Sequence, residues 1–210
     1  MPTYPSSSPL LHDAEALARR LLGEDSDRLA HSRYAAGIAE LAADALSVPD
    51  PESLVAAAWL HDIGHAPHIS RTGFHPLDGA LHLAAEGWPD RTVLLVAHHA
   101  HAAILAPYFG VDHQLAVLDH VPGIAEDVLT YADMRSGPTG MGASPARRVS
   151  GLRGFQGGSA SIPKAIHEER YRLLLAACDR IGNAINARPG SWSARRHPHV
   201  TGMSGARLGS

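Results

Sequence analysis

Apolar residues recur at helical spacing through most of this chain, and polar residues interrupt them where helices must start and stop. Leu11, Ala14, Leu17, Leu21 and Leu22 share one side of a segment that Gly23 ends, which predicts a short helix over residues 13–22 lying as a lid on the rest. Asp25-Ser26-Asp27 supplies the next start, and Leu29, Tyr34, Ile38, Leu41 and Ala45 carry that helix to about Leu46. Pro49 to Ser53 reads as a turn into the apolar run Ala56-Ala57-Ala58-Trp59-Leu60, and Gly64 to Phe74 as a loop. His75-Pro76 introduces a helix ending near Gly87, and Asp90 caps the run Val93 to Ala97. Pro122-Gly123 opens a helix through Ile124, Val128, Leu129 and Tyr131. Ile162-Pro163 begins an amphipathic one reaching about Ala187, whose Tyr171, Leu174, Leu175, Cys178, Ile181 and Ile185 should dock on the others. No strand pattern and no internal repeat interrupts this series, so the fold expected is an all-α helical bundle.

The punctuation also sets the domain organisation. Residues 136–161 are dominated by Gly, Ser, Pro and Ala, carry Arg147, Arg148 and Arg153, and hold no acidic residue. They read as a long Gly/Ser/Arg-rich loop, inserted before the C-terminal docking helix and mobile over a site for an anion. Residues 1–9 are expected to fray, residues 10–187 to form one domain, and residues 188–210 to be a disordered tail.

Chemistry enters through His and Asp residues set inside these apolar patterns. His61-Asp62 ends the run at Leu60, His31 lies within the helix that starts near Asp27, and Asp133 follows Tyr131. Neighbouring helical residues project about 100° apart, so His61 and Asp62 share a centre only where other segments complete it. A plain helix end, with His61 capping carbonyls and Asp62 starting a turn, is the alternative. Burying an isolated carboxylate is expensive unless it is paired or bound to a metal, which favours Asp133 as a ligand. Imidazoles and carboxylates together suit a borderline or hard divalent ion such as Mn, Fe, Co, Ni, Zn or Mg.

The order His31, then His61-Asp62-Ile63-Gly64, then Asp133 on successive helices resembles the HD-domain superfamily of metal-dependent phosphohydrolases. Tyr131-Ala132-Asp133-Met134-Arg135-Ser136-Gly137-Pro138 is similar to the way many bacterial members continue past the last aspartate. The resemblance spans roughly residues 10–138. It implies an HD-domain bundle with His31, His61, Asp62 and Asp133 around one ion, and His75 with His98 or His99 completing a second position. The apolar run before His98-His99 leaves open which of the two faces the metal, with a slight preference for His98. Asp62 is the natural bridge, and Asp62, His65 and Arg135 are the candidate catalytic residues. Arg71, Arg147 and Arg148 are candidates to bind phosphate, because a guanidinium matches its geometry.

The reaction this implies is hydrolysis of a phosphate ester or anhydride in a small molecule, a nucleotide as the leading guess, by hydroxide that one or two metal ions generate. Two alternatives stand beside it: an HD-fold di-iron oxygenase, for which the same six-ligand pattern would serve, and a non-catalytic nucleotide-binding module. There is no Gly-Tyr-Pro continuation after His98-His99, as in cyclic-di-nucleotide phosphodiesterases, and Ile63-Gly64 differs from the motif of diadenosine tetraphosphate hydrolases.

Composition narrows the picture further. At 45% hydrophobic and 19% charged residues, the 210-residue chain suits one globular domain with a single core. Cys178 is the only cysteine and falls on the apolar stripe of the last helix, so it reads as a core thiol. No apolar run approaches the ~20 residues that span a bilayer, and Met1 to Ser8 lacks a secretory pattern, so the expectation is a cytoplasmic protein without a membrane partner. The net charge of −3 conceals a division: up to Asp133 there are 18 Asp and Glu against 6 Lys and Arg, and beyond it 3 against 12. That basic second part suits an anionic ligand, while the lack of a polybasic patch with interleaved aromatics argues against nucleic acid. An exposed apolar face of the bundle would permit a homodimer.

Overall fold

The computed structural model describes residues 8–154 and 162–188. The helices are α1 (Pro9–Leu22), α2 (Asp27–Leu46), α3 (Pro51–Leu60), α4 (His75–Ala85), α5 (Asp90–His98), α6 (Asp112–Leu115), α7 (Ile124–Arg135), α8 (Pro145–Gly154) and α9 (Lys164–Asn186). Among the described residues there is no strand, only an isolated bridge between Ser136 and Gly142. The fold is the all-α bundle expected, and no helix among these residues is long and apolar enough to cross a membrane.

Local chemistry accounts for the helix starts. The Ser8 and Ser26 hydroxyls accept from the backbone N–H of Leu11 and Leu29, and the Asp50 carboxylate accepts from Ser53, each satisfying a donor that the first turn leaves free. Pro9 and Pro51 follow two of these caps at a position where no N–H is needed. The first helix therefore begins earlier than its apolar pattern suggests, and Ser8 and Pro9 are ordered; the remainder of the expected frayed terminus, residues 1–7, lies outside the described residues.

α3 is the centre of the bundle. Leu54, Val55, Ala56, Ala57, Ala58 and Leu60 are all buried, so this short helix is wrapped on nearly every side, by α1, α2, α5 and α7. Its small residues let those neighbours come close. α7 in turn lies between α2 and α9, and α9 docks through Tyr171, Leu174, Cys178, Ile181 and Ile185 as its stripe predicts.

The segment 136–161 differs from expectation. Residues 145–154 form α8, which buries Val149 and rests on α7 and α9 despite two glycines and a serine within it. Packing outweighs propensity here, because Val149 and Leu152 find apolar partners that a solvated loop would lack. Residues 155–161 of that segment and 189–210 of the expected tail lie outside the described residues.

Candidate metal centre

The ends of α3, α5 and α7, the first turns of α2 and the start of α4 meet at one wall of a cavity of about 740 Å³. His61 is the C-cap of α3, and its Nδ1 donates to the Ala58 carbonyl at 2.9 Å. His31 reaches across from α2, with Nδ1 donating to Gly137 O at 3.2 Å. A carbonyl only accepts, so each ring carries its proton on Nδ1 and presents a lone pair at Nε2. Those two Nε2 atoms face one another at 3.2 Å, and the Asp133 Oδ1 atom lies 3.2 Å from the His31 one. Lone pairs and a carboxylate converging in a buried place call for a cation between them.

A second convergence adjoins the first. His99 Nδ1 donates to Val96 O at 2.7 Å, leaving its Nε2 lone pair 3.2 Å from His75 Nε2. Asp62 links the two groups: its Oδ1 is 3.7 Å from His61 Nε2, 3.6 Å from His75 Nε2 and 3.9 Å from His65 Nε2. The donor atoms of His31, His61 and Asp133 lie within 4.8 Å of one another, as do those of Asp62, His65 and His75. Nitrogen and carboxylate donors in these numbers fit divalent cations of the Zn, Mn or Fe kind.

The backbone is arranged to bring these groups together. Asp78 is buried and accepts from the N–H groups of Arg71, Thr72 and Gly73 and from the Thr72 hydroxyl, folding the loop that leads into His75. Gly64 lies so close to the start of α4 that a Cβ there would stand 2.0 Å from the His75 carbonyl oxygen. After His99 the chain bends through Ala100 and His101, both left-handed at φ 52° and 55°, which is strained for residues with a Cβ. α5 itself ends one step earlier, at His98, where His99 leaves the helix in an extended conformation at φ −55° and ψ 151°.

Electrostatics of the centre follow from burial opposed by pairing. Burial alone would lower His31 and raise Asp133, yet a proton taken up at His31 Nε2 would gain a hydrogen bond and an opposite charge from Asp133, and this reverses both, leaving the imidazole above its ordinary pKa and the carboxyl well below its own. Asp62, despite burial, is held well below the usual carboxylate range by His61, His75 and Arg28. His75 is pushed well down by burial, and His99 down to about 4 for the same reason, so both rings are neutral and able to donate a lone pair at neutral pH.

Of the residues singled out in the sequence, His31, His61, Asp62, His65, His75, His99 and Asp133 come together here, and Arg148 joins them with Nη2 3.4 Å from Asp133 Oδ1. His98 does not: it turns to the other side of α5, where Nε2 donates to Leu118 O at 2.9 Å and the ring stacks on His120. Arg135 lays its guanidinium over the Tyr131 ring, and Arg71 and Arg147 are exposed; none of the three lines the cavity. Two arginines that the sequence pattern did not single out do line it. Arg28, one turn before His31, donates to Asp62 Oδ2 at 2.6 Å, and Arg170 enters from α9. Arg28 sits at the i−3 position to His31, and that spacing was the available signal.

Comparison with known proteins agrees with this geometry. No curated protein and no solved structure matches the chain closely enough to stand as a relative. A family model described as HD domain matches residues 28–134, a span that opens at the arginine bound to Asp62 and closes just past Asp133. HD domains form a superfamily of metal-dependent hydrolases, and the buried histidines and aspartates of this centre could hold such a metal. With over half its length in that match and its donor atoms converging between the same limits, the chain belongs to the HD-domain family.

Proposed function

We propose that the protein is a metal-dependent phosphohydrolase acting on a phosphate ester or anhydride of a small molecule, a nucleotide being the first candidate. The observation that carries this reading is the pair of donor clusters joined through Asp62, on the wall of a cavity that also presents Arg28, Arg148 and Arg170. His31, His61 and Asp133 would hold one divalent cation, and His75, His99 and Asp62 a second, with Asp62 shared. Cations so held polarise a phosphoryl oxygen and lower the pKa of a water.

The protein groups divide the remaining work. Arg28 and Arg148 lie against the two carboxylates and offer guanidinium donors to the phosphoryl oxygens. His65, stacked on His75 at 4.0 Å and partly open to the cavity, is lowered by burial and so stays neutral at pH 7, ready to take a proton from the attacking water. Phe109, Leu105 and Leu152 form an apolar wall suited to a base or other flat body on the leaving group, within a volume that admits a nucleotide-sized molecule.

The test is to strip the protein of metal and reload it with Mn, Fe, Co, Ni, Zn or Mg. Each form is screened against phosphomonoesters, phosphodiesters and nucleoside triphosphates, with an anaerobic control. Phosphate release in at least one form, absent in His61→Ala and indifferent to oxygen, is the expected result. The histidine-rich second cluster also favours a di-iron oxygenase as a second reading. Oxygen consumption by the iron form with a carbon substrate, and no phosphate release in any form, would decide for it.

A further inference from the structure

His31 is held differently from two other histidines of the centre. His61 and His99 stand at helix ends, and each gives its Nδ1 proton to a carbonyl three residues earlier, Ala58 O and Val96 O, that the helix end leaves free. His31 sits in the second turn of α2, where the nearby carbonyls accept from the helix's own N–H groups. Its acceptor has to come from elsewhere, and it is Gly137 O, 106 residues further along the chain.

The segment after α7 is folded so that it delivers that carbonyl. Ser136 leaves the helix in an extended conformation and ties its hydroxyl back to Ala132 O at 2.8 Å. The chain then doubles back, with Gly137 N–H donating to Met141 O at 2.6 Å, Gly140 N–H to Gly137 O at 3.0 Å and Ala143 N–H to Arg135 O at 2.8 Å. Gly137 O thus uses one lone pair to close this hairpin and the other for His31. The hairpin presses on α2 at residues either side of His31. At Gly140, left-handed at φ 72°, an added Cβ would stand 2.5 Å from the carbonyl oxygen of Ala30 and 2.7 Å from its Cβ. At Gly142 it would meet the Tyr34 hydroxyl at 2.6 Å.

One stretch of chain therefore grips both ends of the ring, with Asp133 Oδ1 3.2 Å from Nε2 and Gly137 O on Nδ1. The two ends compete. A neutral imidazole has one proton, and a carboxylate is a stronger acceptor than a carbonyl. Without Gly137 the proton would sit on Nε2, facing Asp133, and close the lone pair that a cation needs. We propose that the hairpin of residues 136–143, seated on α2 through Gly140, is a positioning element for His31: its Gly137 carbonyl keeps the ring proton on Nδ1 and so keeps Nε2 open to a metal ion. This rests on the metal reading of the centre and is independent of the substrate.

The test reads the ring first and the metal second. Long-range proton–nitrogen NMR correlations of the metal-free chain, with the His31 signals assigned by their loss in His31→Gln, should show the neutral ring protonated at Nδ1. Gly140→Ala must part the hairpin from Ala30, because backbone atoms stand in its way, and should move that proton to Nε2. Calorimetric titration of the variant with Mn should find affinity at the His31 and His61 position lowered about tenfold or more, and that at His75 and His99 within about twofold of the parent. Gly110→Ala is the control: φ 69° there imposes a similar backbone strain with nothing within 4 Å of the added Cβ, so both readouts should keep their parent values. An unmoved proton or an unchanged Mn affinity in Gly140→Ala, or an equal loss in Gly110→Ala, overturns the positioning role alone. If Gly140→Ala does not fold, the parent spectrum decides: a proton on Nδ1 supports the role and a proton on Nε2 overturns it. A parent chain that binds no Mn overturns the metal reading, and the positioning role falls with it.

Discussion

The Nε2 atoms of His31 and His61 stand 3.2 Å apart in a buried pocket, each with its Nδ1 proton committed to a backbone carbonyl. Two lone pairs do not approach so closely without a positive charge between or beside them. Burial lowers the His31 pKa and Asp133 more than offsets it, and a divalent ion between the two nitrogens would supply that charge in place of a proton.

Removing one of the two rings should therefore uncouple metal binding from folding. His61→Ala is expected to weaken divalent-metal affinity by about a hundredfold or more and to release fewer protons on metal addition. Far-UV circular dichroism should change little, because the helix residues of α3 are held by its apolar neighbours. Calorimetric metal titration in two buffers of different ionisation enthalpy checks both parts.

Stability of the metal-free chain should fall on mild acidification. Burial lowers His99 from 6.5 to about 4 in the folded state, so the unfolded chain binds the extra proton first as pH drops. The contribution is complete above pH 6.5 and is lost progressively towards pH 4, on the order of 3 kcal/mol for this ring alone. His75 shifts in the same direction, again through burial. Urea unfolding at intervals between pH 7 and pH 4.5 should show the loss, and His99→Gln should flatten it.

Arg147 and Arg148 are adjacent in sequence yet should behave differently. Arg147 is exposed and only its backbone N–H is engaged, with Ser144 Oγ, whereas Arg148 reaches Asp133. Arg148→Ala should raise KM for a phosphorylated substrate about tenfold or more, and Arg147→Ala should leave it within about twofold. Steady-state kinetics on the two single variants distinguishes them.

Much of the centre is legible in the amino-acid sequence because its members sit on strongly periodic helices in a fixed order. His31, His61, Asp62, His75 and Asp133 are polar residues at positions whose apolar neighbours bury them, and that contrast is visible in sequence. The choice between His98 and His99 is not, since it depends on where α5 stops, and α5 stops at His98, just before an extended His99 and two left-handed residues that no glycine announces. Arg28 and Arg170 are hidden for a different reason. Each lies among ordinary charged helix residues, and only the packing of α2 and α9 turns those two towards the cavity. α8 is unreadable because its stability comes from Val149 and Leu152 meeting other elements, while the Pro, Gly and Ser within and around it signal a loop.

The glycine after the central motif offers the sharpest separation of the two clusters. At Gly64 an added Cβ would stand 2.0 Å from the His75 carbonyl oxygen and 2.8 Å from the Gly79 nitrogen, both backbone atoms that cannot swing aside. Gly64→Ala must therefore push the start of α4, with His75, away from Asp62. His31, His61 and Asp133 are held by other elements and keep their places. The variant should lose about 2–3 kcal/mol of stability in urea. It should bind one equivalent of Mn fewer than the parent chain, retaining the site at His31 and His61. Gly37→Ala is the matched control: it lies within α2 with nothing within 4 Å of its added Cβ, so it should be neutral or stabilising by up to about 1 kcal/mol. An unchanged metal stoichiometry in Gly64→Ala, measured at full occupancy, would show that His75 contributes no separate position.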